Sequence, residues 1–268
     1  NITALVNDGN SVTKEIIIID NASTDGSPEM VRQEFPQVHL IINQENNGFA
    51  KASNQGLKVA TGDFLILLNP DMKVVPDTLG NLHQWLIANP QADVTGIKLM
   101  DEQEILLPQV RLFPSIWDQV AIVFKLPHIF PHILKNYLQT DFRYDQASRV
   151  NSIRGAFFVL RRSCLEKFGY LDERYFLWFE EVDYCKTVYE KGGQIWYTPA
   201  ATATDYIGQS FTQLPRIEKQ HYFRDSMIAY FIKWHPGWQV ETLRLAWEIS
   251  ELIVSIGDFF HIKPRVRT

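Results

Sequence analysis

The first half of the chain alternates short apolar runs, rich in β-branched residues, with stretches of helical character. We predict strands and helices in turn over residues 15–20, 27–35, 38–42, 48–60, 63–68, 77–89 and 92–99. Short connections between such elements produce an α/β fold with a mostly parallel central sheet and right-handed crossovers. Ligands of these sheets bind beyond the carboxyl ends of the strands. The polar residues that follow each predicted strand are therefore the first candidates for a functional site.

The second half of the chain is less regular. Residues 104–149 carry four scattered prolines, which predict a loop-rich insertion with short helices. After it we predict a strand, a helical turn, a helix and a strand, at residues 153–161, 162–168, 180–191 and 194–198. The pattern therefore continues as α/β structure after the insertion.

Beyond Pro215 the sequence is helical, with an apolar stripe from Val240 to Phe260. The stripe predicts packing against the rest of the chain, a homodimer, or peripheral contact with a membrane. We therefore divide the chain into an α/β domain at residues 1–214 and a C-terminal helical extension at residues 215–268.

The composition excludes several other classes of protein. With 268 residues, of which 46% are hydrophobic and 21% charged, the chain is neither disordered nor fibrous. Its 26 Lys and Arg against 31 Asp and Glu give a net charge of -5, so nucleic acid is not an expected partner. Two cysteines are too few for a disulfide framework, and no apolar run approaches the ~20 residues that cross a bilayer. We expect a cytoplasmic protein whose membrane contact is peripheral, at the inner face of the plasma membrane.

Three acidic clusters lie where this topology places ligand groups. Residues 20–26 follow the first predicted strand and either bind a base or ribose or form an ordinary turn. Asp71 follows the third strand and either holds Mg²⁺ or Mn²⁺ together with phosphate oxygens or belongs to a turn. The carboxylates of residues 179–183 either supply a general base or stabilise a helix dipole.

Taken together, the clusters and their flanking motifs resemble the family 2 glycosyltransferases of GT-A fold. The matching segments are IDNASTDGS at 19–27, ENNGFA at 45–50, LLNPD at 67–71, RGAFFVLRR at 154–162, FGYLDE at 168–173 and FEEVD at 179–183. The resemblance covers residues 12–211, and it implies a Rossmann-like nucleotide-diphospho-sugar transferase fold. The Asn-Pro-Asp form of the metal motif is most similar to the bacterial rhamnosyltransferases of surface polysaccharide synthesis.

The resemblance also implies roles for individual residues. It implies a nucleotide pocket formed by Asp20, Asn21, Asn47, Gly48, Asn54 and Asn69. It implies that Asp71 binds the divalent cation. Glu181 occupies the position of the catalytic base, with Asp183 as the second candidate and Glu180 beside it. The family commonly has a histidine where this chain has Asp205, and we expect Asp205 to be a second ligand of the cation, since Mg²⁺ and Mn²⁺ prefer oxygen.

The implied activity is inverting, metal-dependent transfer of a hexosyl group such as rhamnose from a dTDP- or UDP-sugar. The acceptor would be a glycan or a lipid-linked glycan of the bacterial cell envelope. Two alternatives stay open. Asp205 adds negative charge beside the diphosphate, which favours a catalytically weakened sugar-nucleotide or glycan binding module. A sugar nucleotidyltransferase would need a Gly-rich, basic phosphate loop after its first strand, which the sequence does not have.

In the family that the chain resembles, a further strand and turn precede the strand that ends at Asp20, and a helix joins the two. Only residues 1–14 lie before that strand here, enough for the tail of the helix. We therefore expect the first strand of the fold to be missing from the α/β domain.

Overall fold

A computed structural model of the chain describes residue 5, residues 12–206 and residues 215–259. Its strands are β1 Ile17–Asp20, β2 His39–Ile42, β3 Phe64–Leu68, β4 Met72–Val74, β5 Val94–Met100, β6 Ser148–Val150, β7 Phe157–Arg161 and β8 Ile195–Asp205. Its helices are α1 Ser27–Glu34, α2 Phe49–Val59, α3 Thr78–Ala88, α4 Ile116–Val123, α5 Ser163–Lys167, α6 Glu180–Glu190, α7 Arg216–Trp234 and α8 Gly237–Phe259. The elements predicted in the first half are confirmed, and their ends agree within two residues.

The strands form two separate sheets. In the smaller sheet β1 and β2 run parallel, with Asp20 opposite Ile42. The larger sheet has the order β3-β7-β5-β8-β4, and β6 pairs with β8. Its β5 and β8 are parallel, whereas β7 runs antiparallel to both β3 and β5. The prediction of a mostly parallel sheet was wrong, because β7 enters the middle of the sheet after the long insertion instead of through a β-α-β crossover.

Helix α2 packs against both sheets. A Cβ added to Gly56 would lie 3.7 Å from the Ile19 side chain, which places this helix directly on β1. Ala50 and Leu57 of the same helix lie in one core cluster with Leu65 of β3. The predicted absence of a strand before β1 concerns residues 1–11, which lie outside the described residues apart from Leu5.

Strands β4 and β8, which lie far apart in the sequence, together position the candidate site. Strand β4 was not predicted, since three residues carry too little periodicity, and it begins directly after Asp71. Strand β8 is longer than predicted and reaches Asp205, with a register shift between Ile97 and Lys98 of its partner β5. The two strands pair antiparallel, so Met72 lies opposite Asp205.

The C-terminal helices pack on the α/β domain. Tyr175 and Phe179, which precede α6, share a buried cluster with Tyr230 of α7 and Leu243 of α8. Packing was one of the three roles predicted for the terminal stripe, and one face of α8 is buried in this cluster. None of the helices in residues 12–206 or 215–259 combines the length and the apolar character needed to cross a membrane.

Candidate active site

Asp71 and Asp205 lie next to each other at one end of the β4–β8 pair. The backbone N–H of Tyr206 donates to the Asp71 carbonyl at 3.1 Å, one residue beyond the Met72–Asp205 pair. Asp205 is only 4% exposed. Burial raises the pKa of its carboxyl, the Arg154 guanidinium lowers it, and the charge of Asp71 raises it again. The structure therefore brings together the two residues predicted to bind the cation.

This pair of carboxylates fits a divalent cation that is also held by substrate. Two like charges at one buried site repel each other, and a cation between them would relieve that repulsion. Mg²⁺ commonly binds one or two carboxylates and completes its shell with phosphate oxygens and water. No cluster of three or more acidic, histidine or cysteine side chains suited to a metal occurs in the described part of the chain. Oxygens of a diphosphate would have to supply the remaining ligands.

Arg154 connects this pair to the catalytic helix. Its Nη2 atom lies 3.3 Å from Oδ2 of Asp205. The same guanidinium lowers the pKa of Glu181, at the start of α6. One positive charge therefore acts on both the proposed metal ligands and the proposed base.

The turn that leads into α6 has an unusual backbone. Trp178 and Phe179 both have positive φ values, of 66° and 69°, although neither is glycine. Such conformations cost about 1–3 kcal/mol each and persist only where surrounding packing holds them. Here the Ser226 hydroxyl of α7 donates to the Leu177 carbonyl at 2.8 Å, and the Phe223 ring lies against both Trp178 and Phe179. Helix α7 thus fixes the turn that aims the first residues of α6.

Glu181 lies over a glycine and faces two arginines. A Cβ added to Gly155 would lie 3.4 Å from the Glu181 Cβ, so the two residues are in close contact. The residue is partly buried, and its Oε2 atom is shielded with no hydrogen-bond partner among the described residues. Burial raises the pKa of this carboxyl, whereas backbone N–H groups at the helix start and the charges of Arg111 and Arg154 lower it.

Glu180 differs from its neighbour because it is buried. It is 6% exposed, and burial together with the charge of Glu181 raises its pKa well above the usual value. Burial and the neighbouring charge disfavour its ionised form, whereas the charges of Arg111 and Arg154 favour the ionised form of Glu181. Of the two adjacent glutamates, Glu181 therefore suits a base that meets substrate.

Asp183 is occupied by contacts within the protein. Its carboxylate accepts from Lys233 Nζ at 2.7 Å, from Trp234 Nε1 at 2.7 Å and from the Tyr175 hydroxyl at 3.1 Å. The side chain is 2% exposed. Asp183 was the second candidate for the base, and this environment instead favours an anchor between α6 and the end of α7.

The first nucleotide cluster assembles at the carboxyl ends of β1 and β2. Asp20 is buried, and its Oδ2 accepts from the backbone N–H of Ser23 at 3.0 Å. The Asn21 amide donates to the Gly48 carbonyl at 3.2 Å and accepts from Asn43 at 2.9 Å. Gly48 itself packs on the catalytic turn, since an added Cβ would lie 2.6 Å from the Phe176 carbonyl oxygen. The structure therefore brings Asp20, Asn21 and Gly48 together.

The other three asparagines of the predicted pocket make separate hydrogen bonds, although Asn47 directly precedes Gly48 in the chain. Asn54 is buried, and its amide exchanges hydrogen bonds with the backbone of Leu171 and donates to Glu173 Oε1, all at 2.9–3.0 Å. These bonds use the whole amide, so the environment of Asn54 favours a structural role over contact with a nucleotide. Asn47 donates to the Glu45 carbonyl at 3.4 Å. Asn69 follows β3 and donates its backbone N–H to Ala156, beside Gly155.

Residues 1–168 match the family model described as glycosyl transferase family 2. The chain belongs to glycosyl transferase family 2. The family assignment made from the sequence motifs is confirmed, and the protein is a glycosyltransferase.

This family 2 glycosyltransferase has relatives in the synthesis of surface glycans. It is similar to the N-acetylglucosaminyl-diphospho-decaprenol L-rhamnosyltransferase of Mycobacterium tuberculosis, with 25% identity over 244 residues, 85% of this chain and 78% of that protein. It is also similar to the succinoglycan biosynthesis protein ExoO of Rhizobium meliloti, with 29% identity over 181 residues, 61% of this chain and 50% of ExoO.

Solved structures confirm the GT-A fold of this glycosyltransferase. The crystal structure of S. aureus TarS 1-349 matches with a TM-score of 0.54 and 14% identity, over 99% of this chain and 70% of that chain. The structure of GalNAc-T7 with UDP, GalNAc and Mn²⁺ matches with a TM-score of 0.50 and 15% identity, over 71% of this chain and 37% of that chain. At these sequence identities, structural similarity supports the fold assignment and nothing more specific.

Two residues of this transferase site were not singled out from the sequence. Arg154 belongs to a matching motif, and its place directly before Gly155 was the one signal that could have identified it. Arg111 lies in the irregular insertion, where no periodicity indicates which side chains turn inward. Its charge lowers the pKa of both Tyr137 and Glu181. Contacts between distant segments therefore complete the charge pattern around the proposed base.

Proposed function

We propose that this family 2 glycosyltransferase is an inverting, metal-dependent enzyme that transfers rhamnose from a nucleoside-diphosphate sugar to a glycan or lipid-linked acceptor. The observation that carries the proposal is the position of Arg154 between the Asp71–Asp205 pair and Glu181. The guanidinium of Arg154 therefore acts both on the proposed site of the leaving diphosphate and on the proposed proton acceptor.

In the proposed reaction Glu181 takes the proton of the acceptor hydroxyl while the hydroxyl oxygen bonds to the anomeric carbon of the donor. The bond from that carbon to the diphosphate oxygen breaks, and the nucleoside diphosphate leaves from the opposite face. A single displacement of this kind inverts the anomeric configuration. The shielded Oε2 of Glu181, with no partner in the described protein, supports the proposal because a substrate hydroxyl could satisfy it.

Asp71 and Asp205 are the proposed ligands of Mg²⁺ or Mn²⁺. When bound, the cation would neutralise negative charge on the leaving diphosphate. The negative charge that Asp205 adds in place of a histidine is offset by the Arg154 guanidinium at 3.3 Å. This ion pair favours an active enzyme over a weakened binding module. The nucleotide would lie against Asp20, Asn21 and Gly48, which the structure groups at the ends of β1 and β2.

The donor and acceptor are proposed from the relatives. The mycobacterial relative is named as a rhamnosyltransferase that acts on an N-acetylglucosaminyl-diphospho lipid, and ExoO is named for succinoglycan biosynthesis. By analogy with these relatives, we propose that this chain uses a dTDP- or UDP-linked donor and an acceptor in cell-envelope polysaccharide synthesis. The cytoplasmic location, the peripheral contact with the inner face of the plasma membrane, and the homodimer through the C-terminal helices stay predictions.

The proposal is tested by release of nucleoside diphosphate from dTDP-rhamnose, and from a panel of UDP-sugars, with an N-acetylglucosaminyl-diphospho lipid and Mg²⁺ or Mn²⁺. We expect release to require both the acceptor and the cation, and the product linkage to have the inverted configuration by NMR. Chelation should abolish release, and Asp71→Asn should lower it about a hundredfold.

The matched control is Asp63→Asn, which changes an exposed carboxylate at the start of β3, outside the predicted site. It should release nucleoside diphosphate as the wild type does. Full activity of Asp71→Asn, or of the chelated enzyme, would refute metal dependence. Binding of a nucleotide sugar by calorimetry with no release under any condition would instead identify a binding module.

A further inference from the structure

Residues 125–135, which we call the basic apolar loop, expose three large apolar side chains to solvent. Ile129 is 69% exposed, Phe130 57% and Ile133 44%. The loop is nevertheless ordered: a 3₁₀ turn spans Leu126–His128, and the backbone N–H of Phe130 donates to the Leu126 carbonyl at 2.8 Å. Its far end is fixed by Leu134, which is buried. Backbone hydrogen bonds therefore hold the loop in a conformation that exposes these apolar side chains to solvent.

The charges around these side chains have one sign. The loop contains Lys125, Lys135 and two exposed histidines, and residues 119–140 include no Asp or Glu although the chain as a whole has a net charge of -5. Lys135 forms an ion pair with Asp141, just beyond the segment, in which both side chains are at least half exposed. Apolar side chains at the tip with lysines at the base are the pattern by which proteins enter the interface of an anionic bilayer.

A second exposed apolar surface, on α8, has the opposite charge. Leu245 and Ile249 of this helix are 57% and 40% exposed. The charged side chains beside them are Glu241, which forms an ion pair with Arg244 at 2.7 Å, and the exposed Glu248, which would be repelled by anionic lipid. The lysines of the loop favour contact with anionic lipid, whereas the glutamates of α8 oppose it, so we infer that lipid binds at the loop.

The loop is also continuous with the proposed acceptor side of the active site. Two residues after it lies Tyr137, which is buried, and its pKa is raised by burial and, to a lesser extent, by the charge of Glu181, whereas the charge of Arg111 lowers it. The Leu112 N–H donates to the Tyr137 carbonyl at 3.0 Å. One short segment thus joins the exposed apolar tip to the neighbourhood of the proposed base.

We propose that the basic apolar loop inserts into the surface of an anionic membrane, so that a lipid-linked acceptor reaches Glu181 while its lipid stays in the bilayer. The use of the surface rests on the proposed function, whereas lipid binding itself does not. Ile129, Phe130 and Ile133 enter the acyl boundary, and Lys125 and Lys135 meet the lipid phosphates.

The test is co-sedimentation of the full chain with vesicles, without any nucleotide sugar. We expect binding to vesicles of phosphatidylcholine and phosphatidylglycerol in equal parts, and weaker binding to phosphatidylcholine alone. The double variant Ile129→Ser/Phe130→Ser should lower partitioning by about tenfold, because two large side chains no longer enter the apolar region. Lys125→Glu/Lys135→Glu should remove the preference for anionic vesicles.

The matched control is Leu245→Ser/Ile249→Ser, which removes two exposed apolar side chains from α8 and should bind vesicles as the wild type does. Unchanged binding by the loop variants, or none by the wild type, would overturn the proposal. A loop variant that changes the oligomeric state in sedimentation velocity, with vesicle binding intact, would assign the surface to a second copy. Nucleoside diphosphate release with a water-soluble acceptor is measured separately and should be unaffected in the loop variants, so failure of the transferase assay leaves the membrane result interpretable.

Discussion

The side of this glycosyltransferase proposed to bind the donor, called the donor side, and the side proposed to supply the base, called the catalytic side, are held in different ways. On the donor side, Asp20 and Asn21 are positioned by hydrogen bonds to nearby turns and to the next strand. On the catalytic side, Glu181 follows a turn with two left-handed residues that helix α7 holds from the far end of the sequence. The donor side is therefore local and polar, whereas the catalytic side depends on aromatic packing and buried charge.

This difference predicts how each side responds to change. A cluster held by a few partly buried hydrogen bonds can adjust to its ligand at low cost, since each such bond contributes about 1 kcal/mol. A carboxylate on a turn fixed by packing cannot adjust, but it is already oriented for the reaction. Substitutions on the catalytic side should accordingly separate clearly into those that remove chemistry and those that remove stability.

The largest expected effect is on catalysis, from Glu181→Gln. Loss of the proton acceptor should lower kcat by roughly 10²–10⁴-fold while the protein stays folded. Glu180→Gln is the matched control, because burial disfavours the ionised form of that carboxyl and glutamine has the same shape. Its kcat should stay within a few-fold of the wild type in the nucleoside diphosphate release assay. Equal loss in both variants would show that the two glutamates act as a unit.

The next effect is on stability, from Asp183→Ala. Removal of this carboxylate leaves Lys233 beside a buried gap and takes partners from Trp234 and Tyr175. The free energy of unfolding, measured in urea, should fall by about 3 kcal/mol or more. Asp172→Ala, which removes a half-buried partner of Lys233 at 3.0 Å, should cost about 1 kcal/mol. A variant Asp183→Ala with wild-type stability and no activity would instead make Asp183 the base.

A smaller effect is expected on the side of the molecule that the motifs assigned to the nucleotide. Asn54→Ala should lower the free energy of unfolding by about 2 kcal/mol, because the buried backbone groups of Leu171 lose their partner. The KM for the donor should stay unchanged. Gln55→Ala, which removes partly buried bonds to Asn43, is the control and should cost less. A raised donor KM with unchanged stability would return Asn54 to the nucleotide pocket.

The sequence predicted the elements of the first half well because each is a local periodic pattern. The order of strands was harder, because β7 pairs with β3 and β5 through contacts between segments far apart in the chain. Strand β4 was missed for a related reason: its three residues form a strand only because β8 extends to Asp205 and pairs with them.

In the candidate site, too, residues in local motifs could be predicted from the sequence, whereas contacts between distant segments could not. Asp71, Asp205 and Glu181 could be chosen from the sequence because each lies in or near a motif that follows a strand or begins a helix. The resemblance implied that Asn54 binds the nucleotide, and its bond to Leu171, 117 residues away, could not be predicted from the local sequence. Arg111 and Arg154 change the electrostatics of Glu181 across the fold, and no pattern in either local segment predicts that contact.

The smallest predicted effect concerns pH and tests whether Arg154 tunes the proposed base. Glu181 must be deprotonated to accept a proton, so kcat/KM should fall as pH falls through its pKa, which burial raises above the ordinary value. Arg154→Met removes a charge that lowers this pKa, so the acidic limb of the profile should move to higher pH. Arg154→Lys keeps the charge and should leave the limb near its original position, as should Arg149→Met, an exposed arginine on β6. An acidic limb that stays in place in Arg154→Met would mean that the catalytic side depends on packing alone and that Arg154 serves only the Asp71–Asp205 pair.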